Sequence, residues 1–186
     1  MKGNDAFIMY ILREIEKTDM PVINKWRKDP ELIQKLCAPY RYINQEVDDA
    51  WFDNYIKSRD SAVRCAIVQT DINKVIGCVY LLNIDWTSRC ADFGIMIGEK
   101  DNQGKGAGTF AVKAILDHAF FNLNLHRIQL EVLEHNERAI QLYHKFGFQK
   151  EGVKREALFK NGVYVNLIAM AVLRKEYHSD RTKGNG

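Results

Sequence analysis

The sequence feature that most constrains the fold of this chain is a glycine-rich hexapeptide, Gln103–Gly108. It reads Gln-Gly-Lys-Gly-Ala-Gly, and apolar residues follow it at helical spacing from Ala107 to Phe121. Its glycines carry no Cβ atoms, so an oxygen-bearing ligand can approach the main chain closely. The free N–H groups at the helix start converge on one spot, which is also the positive end of the helix dipole. The hexapeptide therefore predicts a turn into a helix that binds a phosphate or pyrophosphate.

Two common phosphate-binding motifs do not match this turn. A Walker loop ends in Gly-Lys-Ser/Thr, but here Lys105 is followed by Gly106 in place of a hydroxyl residue. A dinucleotide fingerprint needs Gly-x-Gly-x-x-Gly in a parallel βαβ unit. Gly104, Gly106 and Gly108 are spaced instead as Gly-x-Gly-x-Gly. The spacing that fits is Gln-x-x-Gly-x-Gly, beginning at Gln103.

A second segment, Glu134–Phe148, begins about thirty residues downstream and contains Asn-x-x-Ala-x-x-Leu-Tyr-x-Lys-x-Gly-Phe. Together the two segments resemble the GCN5-related N-acetyltransferase (GNAT) superfamily. Within it they are most similar to the branch of ribosomal-protein N-terminal, spermidine and nucleotide-amino-sugar acetyltransferases. The resemblance covers roughly residues 8–175. It implies acetyl-CoA as the cosubstrate and direct transfer of the acetyl group to a primary amine.

Size and composition predict a single domain over residues 1–177, followed by a flexible polar tail over 178–186. The chain has 186 residues, of which 46% are hydrophobic, enough for an adequate core. No apolar run is long enough for a membrane span and no signal peptide is evident, so we expect a cytoplasmic protein. A net charge of +3 is too balanced to indicate nucleic-acid binding. The four cysteines form no Cys-x-x-Cys and the histidines no His-x-x-x-His, so we expect no metal.

Hydrophobic periodicity predicts seven strands and about four helices. The strands are expected at 8–15, 62–69, 75–84, 90–98, 127–134, 148–157 and 163–173. The helices are expected at 18–27, 46–58, 107–122 and 136–146, with Pro30 limiting the first. Some strands are joined by hairpins and others through helices, which predicts an α/β fold with a mixed, mostly antiparallel, twisted sheet. This order also matches the GNAT fold.

The strand 90–98 precedes the glycine-rich turn, so the pantetheine arm of the cofactor should run back along it. In the GNAT family this strand bulges and splays from its neighbour, and its free backbone groups pair with the pantetheine amides. A backbone N–H near Ile97 or Gly98 would then face the thioester carbonyl. The expected cofactor contacts are Met96, Ile97, Gly98, Gln103, Gly104, Lys105, Gly106, Ala107, Gly108, Thr109, Asn136, Ala139 and Tyr143.

Helical spacing places Asn136, Ala139 and Tyr143 on one face of the last helix. Small Ala139 would let the cofactor approach, and Asn136 can hydrogen-bond the arm. The family resemblance implies that the phenol of Tyr143 protonates the departing sulfur. The alternative is an amphipathic helix whose tyrosine packs in the core.

Glu131 is the first candidate for the general base, directly or through water. It lies twelve residues before Tyr143, the separation that some ribosomal-protein acetyltransferases show between base and acid. The alternative is a solvated strand carboxylate with no catalytic part. Asp92 and Glu134 are held in reserve, and many GNAT enzymes use water chains without a single essential base.

Aromatic and basic side chains crowd the N-terminal third, where the acceptor site is expected. Trp26, Arg27, Tyr40 and Tyr42 are the candidate substrate contacts, although they fit equally well as the core and solvated faces of two helices. The acceptor is left open between a protein N-terminal amine, such as that of a ribosomal protein, and a small amine such as an amino sugar or polyamine.

Two other functions remain as alternatives, a noncatalytic acyl-CoA-binding regulatory module and a structural interaction domain. The presence of both Tyr143 and Glu131 favours an enzyme. We expect a monomer or homodimer.

Overall fold

A computed structural model describes residues 9–177 as one seven-stranded sheet in the order β1-β2-β3-β4-β5-β7-β6. The strands are β1 Tyr10–Glu14, β2 Val63–Gln69, β3 Lys74–Asp85, β4 Cys90–Ile97, β5 Arg127–Leu133, β6 Gln149–Lys160 and β7 Val163–Leu173. The predicted strand count and the mixed, mostly antiparallel sheet are confirmed. Ile8 and the tail 178–186 lie outside the described residues.

The described chain contains five α-helices, one more than predicted. They are α1 Met20–Arg27, α2 Pro30–Gln34, α3 Gln45–Lys57, α4 Ala107–Asp117, which continues into a π-helical turn at His118–Asn122, and α5 Glu137–Lys145. In residues 9–177 none of these helices is long and apolar enough to cross a membrane.

The additional helix, α2, begins at the proline that was expected only to stop α1. Proline is well tolerated at the first helical position because its missing N–H has no partner there in any case. Asp29 caps the helix, since its side chain accepts from the N–H groups of Glu31 at 2.9 Å and Leu32 at 3.4 Å. Pro30 therefore separates two short helices instead of ending one.

The sheet contains one parallel pairing within the described residues, and it is short. β4 and β5 pair only at Cys90–Arg127, Ala91–Ile128 and Asp92–Gln129, and beyond that point they part. Against β3, β4 is regular from Asp92 to Ile97, with a register shift nearer its start. β4 therefore splays from β5 as expected and leaves a gap between the two strands after Asp92. The irregularity in its pairing with β3 lies nearer the start of β4, before this gap begins.

Helices cover both faces of the sheet, and two hydrophobic clusters result. α4 and α5 pack with Phe93, Ile95 and Ile97 on one face. α1 and α3 pack with Met96 on the other, because successive residues of a strand point to opposite faces. β4 thus lies between two cores, and the gap beside it lies between the same two helical layers.

The fit of α1 against the end of β4 depends on Gly98. The indole of Trp26, 3% exposed, occupies the space where a Cβ of residue 98 would stand, and its Nε1 donates to Glu99 at 3.0 Å. α1 can approach the sheet this closely only because residue 98 has no side chain. This contact fixes the position of the helix that carries Arg27.

We expect Gly98→Ala to destabilise the fold by about 1–3 kcal/mol, because the added methyl group overlaps a buried indole. The matched control is Gly152→Ala, where an added Cβ has nothing within 4 Å. Urea unfolding of both variants measures the difference. Equal stability of the two variants would contradict the close packing of Trp26 on Gly98.

Candidate functional site

The backbone groups that face the gap between β4 and β5 follow from the sheet register. In an antiparallel pair, residues alternate between hydrogen-bonding to the partner strand and facing away from it. The N–H of Gly98 donates to the carbonyl of Ile76 at 2.9 Å. By alternation, Ile95 and Ile97 direct their N–H and C=O groups into the gap. One expected donor is thereby corrected: the Gly98 N–H is already used, and Ile97 is the residue whose N–H faces the gap.

A cavity of about 820 Å³ occupies this gap. Phe93, Ile95 and Ile97 line it from the side of α4 and α5, and Gly94 and Met96 from the side of α1 and α3. Because residues from both faces of one strand border a single space, the cavity passes through the sheet. Two reactants could therefore enter from opposite faces and meet beside β4.

One end of the cavity is formed by the glycine-rich turn. Gly104 and Gly106 have φ values of +87° and +92°, in the left-handed region that favours glycine. Gly106 is the N-cap of α4, and its carbonyl accepts a hydrogen bond from the N–H of Phe110 at 2.9 Å. The N–H groups of the first helical turn have no partner within the helix and lie beside the cavity. This end presents the backbone donors that a pyrophosphate requires.

Three hydrogen bonds hold the turn in place. Gln103 Nε2 donates to the carbonyl of Ile97 at 3.0 Å and closes the turn onto the end of β4. Buried Asn102 donates to Gln69 at 2.6 Å, and the Tyr10 hydroxyl donates to the carbonyl of Lys105 at 3.3 Å. The turn is thereby fixed before any ligand binds.

Most of the expected cofactor residues border the cavity, but three do not. The lining includes Met96, Ile97, Gln103, Gly104, Gly106, Gly108, Thr109, Asn136, Ala139 and Tyr143. Gly98 is covered by Trp26, Ala107 is 1% exposed in the core beneath α4, and Lys105 lies outside the lining. Gly98, Lys105 and Ala107 therefore do not line the cavity, although they belong to the turn or to the strand end beside it.

Arg138 is a cation at this end that sequence reasoning missed. It lines the cavity, and its Nη2 would lie 3.2 Å from a Cβ built on Gly104. An arginine beside the turn adds a positive charge to the backbone donors. The motif Asn-x-x-Ala leaves its third position, which Arg138 occupies, unspecified, and only the packing of α5 against the turn reveals this neighbour.

Asn136 serves as the cap of α5 and also ties it to the N-terminal region. Its side-chain oxygen accepts from Ala139 N–H at 3.2 Å, and its Nδ2 donates to the carbonyl of Lys35 at 3.3 Å. The helix begins one residue later than predicted, at Glu137, for this reason. A hydrogen bond from Asn136 to the cofactor arm would have to share these groups.

Tyr143 of α5 lines the cavity. Its side chain is 8% exposed, and its ring packs edge-on against Phe93 with centroids 5.8 Å apart and tilted against Phe148 at 5.7 Å. Burial raises the pKa of its phenol well above the ordinary tyrosine value. Its hydroxyl has no hydrogen-bond partner among residues 9–177. The ring is fixed by the core, and the protonated hydroxyl is left for a ligand.

Glu131 lines the cavity from β5 and forms an ion pair with Lys154 of β6. Its backbone carbonyl accepts a hydrogen bond from the thiol of Cys37 at 3.4 Å. The reserve candidates lie elsewhere: Asp92 accepts from Asn83 at 2.7 Å and Gln129 at 2.8 Å, and Glu134 accepts from Asn166. Of the three carboxylates, only Glu131 borders the cavity.

Of the four expected acceptor contacts, only Arg27 borders the cavity. Trp26 is a core residue, because the face of α1 that packs on the sheet carries it together with Met20 and Ile23. Tyr40 and Tyr42 pack edge-to-face at 5.5 Å, but neither lines the cavity, and Tyr42 is 94% exposed. Trp26 is corrected from an acceptor contact to a structural residue. The tyrosines remain predictions.

Two residues that sequence reasoning did not assign to a site line the cavity together with a tryptophan of the N-terminal third, where the acceptor site was expected. The two are Arg64 of β2 and Tyr80 of β3, the tryptophan is Trp51 of α3, and the Arg64 guanidinium lies 4.6 Å from the centroid of the Trp51 ring. They are far apart in the chain, so no local pattern connects them. Arg64 and Tyr80 are register partners on the adjacent strands β2 and β3, so their side chains lie on the same face of the sheet. Within residues 9–177, no cluster of three or more His, Cys, Asp or Glu side chains is placed to hold a metal ion.

Comparison with known proteins agrees with this geometry. The acetyltransferase (GNAT) domain family matches residues 10–149. The spermidine N(1)-acetyltransferase of Escherichia coli (strain K12) is 34% identical over 167 residues, which is 89% of this chain and 87% of the relative. That of Vibrio cholerae is 33% identical over 89% of this chain and 94% of the relative.

A solved structure gives the same result. The spermidine N-acetyltransferase of Vibrio cholerae, in complex with CoA and spermine, matches with a TM-score of 0.85 and 28% identity over 90% of this chain and 97% of that one. The gap between β4 and β5, the glycine-rich turn at its end and these matches agree with one another. The chain therefore belongs to the GNAT family and is an N-acetyltransferase that uses acetyl-CoA.

Proposed function

We propose that the chain acetylates a small primary amine by direct transfer, with the pyrophosphate of acetyl-CoA at the glycine-rich turn and Tyr143 as the general acid. The observation that carries the proposal is the single cavity that joins the turn, the free edge of β4 and the Tyr143 hydroxyl. Part of its volume of about 820 Å³ must hold the pantetheine arm. The remaining space suits a small acceptor better than a folded protein surface.

The transfer needs an aligned amine, a stabilised oxyanion and a protonated leaving group. The acceptor ammonium loses a proton, and the amine nitrogen attacks the thioester carbonyl carbon to form a C–N bond. The Ile97 N–H is the candidate donor to the developing oxyanion. The C–S bond then breaks, the sulfur takes the proton of Tyr143, and the nitrogen loses its second proton. The products are the amide and the CoA thiol, with one proton released and the phenol restored from water.

Glu131 is the proposed acceptor of the amine protons, directly or through a water molecule. Its position on the cavity wall supports this part. The ion pair with Lys154 holds the carboxylate on this wall, so Lys154 affects how the carboxylate can reach the amine.

Gly106→Val is expected to weaken acetyl-CoA binding at least about tenfold, because a branched side chain at the helix start blocks the approach of the pyrophosphate. Valine is also strained at positive φ. Gly162→Val is the matched control, since Gly162 has a φ of +83° and open space but lies at the β6–β7 turn. Calorimetry with acetyl-CoA measures both. Unchanged affinity in Gly106→Val would place the pyrophosphate elsewhere.

Tyr143→Phe is expected to lower kcat by about 10²–10⁴-fold at nearly constant acetyl-CoA affinity, because it keeps the packed ring and removes the proton for the sulfur. Since burial raises the pKa of the phenol, the wild-type enzyme should keep its acid through the ordinary tyrosine range, near pH 10. Tyr164→Phe, at an exposed position on β7, is the control. A Tyr143→Phe enzyme with full kcat would exclude the phenol from the mechanism.

Glu131→Gln is expected to lose activity near neutral pH and to recover part of it at high pH, where the amine deprotonates unaided. Lys154→Met is the paired variant: it keeps the carboxylate and removes only the ion-pair partner that holds it, so activity near neutral pH should fall less than in Glu131→Gln. Steady-state rates across pH measure both effects. Profiles that match the wild type in both variants would assign proton removal to a water chain.

A further inference from the structure

The lining of the cavity carries an excess of positive charge. Its cations are Arg27, Lys35, Arg64, Arg138 and Lys145, whereas Glu131 is the single carboxylate among the lining residues of the described chain and is already paired with Lys154. The segment 32–45, which contributes to the same wall, contains no Asp or Glu. A cavity of this charge favours an anionic group on the ligand.

The two arginines that α1 and β2 contribute to the cavity, Arg27 and Arg64, differ in whether a carboxylate of the protein neutralises their charge. Arg27 forms an ion pair with Asp48, a fully buried carboxylate that also accepts from Asn24 at 2.6 Å. Arg64 has no carboxylate partner among residues 9–177, and its Nε is buried without a hydrogen-bond acceptor. Arg27 is therefore neutralised within the fold, whereas the charge of Arg64 is faced by aromatic rings and by no carboxylate of the described residues.

Aromatic rings hold the Arg64 guanidinium in place. Its Cζ lies 4.6 Å from the centroid of the Trp51 ring and 5.4 Å from those of Tyr55 and Tyr80. The faces of aromatic rings attract a cation, but they offer no lone pairs in the plane of the guanidinium. A carboxylate or phosphate supplies such acceptors and pairs with the planar fork of an arginine.

We infer that the acceptor is a primary amine that also carries an anionic group, a carboxylate or a phosphate, and that Arg64 binds this group beside Trp51 and Tyr80. The inference rests on the proposed function, because it assigns the acceptor to the end of the cavity opposite the glycine-rich turn. A polyamine would instead bring a second ammonium group towards an unpaired guanidinium, and like charges repel.

The sheet register sets the distance between the two groups of the acceptor. Arg64 lies opposite Tyr80, and Tyr80 lies opposite Gly94 on β4. Neighbouring strands are about 4.8 Å apart, so the backbone of Arg64 is about 10 Å from the strand beside which the thioester is expected. The amine and the anion must therefore be separated by several bonds.

The test compares matched primary amines as acceptors of the full-length chain, with acetyl-CoA and detection of the CoA thiol. Butylamine, with an uncharged chain, is the reference. 4-Aminobutanoate and 6-aminohexanoate carry a carboxylate at two different distances from the amine, and 3-aminopropylphosphonate carries a phosphate-like group. Spermidine carries further ammonium groups. At least one anionic amine is expected to exceed both butylamine and spermidine by about tenfold or more in kcat/KM. The two kinds of anion distinguish carboxylate from phosphate recognition.

Arg64→Gln is expected to raise KM for the preferred anionic amine by about 10- to 100-fold, and to leave KM for butylamine and the affinity for acetyl-CoA within about twofold. Arg59→Gln is the matched control, because Arg59 is an exposed arginine of the same region that pairs with Glu14 and does not line this cavity. Arg64→Lys keeps the charge but loses the fork, so its KM should fall between those of the wild type and Arg64→Gln.

Higher kcat/KM for spermidine than for every anionic amine would overturn the inference and leave the proposed function intact. An equal rise in KM for butylamine and the anionic amine in Arg64→Gln would also overturn it, because the residue would then act on the fold alone. Binding of acetyl-CoA without acetylation of any amine would contradict the proposed function itself. The wild-type comparison requires no variant, so it decides the charge preference even where Arg64→Gln does not fold.

Discussion

The parting of β4 from β5 after three residue pairs is the constraint on which the rest of the site depends. Each strand keeps its antiparallel partner, β3 for β4 and β7 for β5, so the gap removes only the hydrogen bonds between the two strands. Backbone groups left inside a protein need a partner from a ligand or from water. The amides of a pantetheine arm are suitable partners, and the protein thus prepares this binding site by leaving part of its sheet unpaired.

The cavity in this gap has two chemically different ends. At one end, backbone N–H groups of the glycine-rich turn and the Arg138 side chain present donors to a phosphate. At the other, an arginine without a carboxylate partner lies against aromatic rings. Tyr143 lines the same cavity and is fixed by Phe93 and Phe148. The two reactants can therefore be recognised by separate groups while their reacting atoms meet beside a single proton donor.

Sequence reasoning placed site residues correctly where they belong to one short segment, and it failed where the residues in contact lie far apart in the chain. Gly106 and Tyr143 each belong to a local motif, a turn before a helix or one face of a helix, and both line the cavity as expected. Trp26 was misassigned because helical spacing alone does not say which face of α1 meets the sheet. Arg64 was missed because its partners come from α3 and β3, and no spacing in the sequence joins them.

By itself, the sequence determined the strand order, most of the helices, the glycine-rich turn before a helix and the family, because these follow from hydrophobic period, glycine positions and motifs within short segments. The tertiary structure alone decided that Gly98 supports Trp26, that Asp48 neutralises Arg27 and that Arg64 is left without a carboxylate partner among the described residues. Those outcomes depend on which side chains distant strands and helices bring together, and charge balance in a cavity is a property of that assembly and not of any single segment.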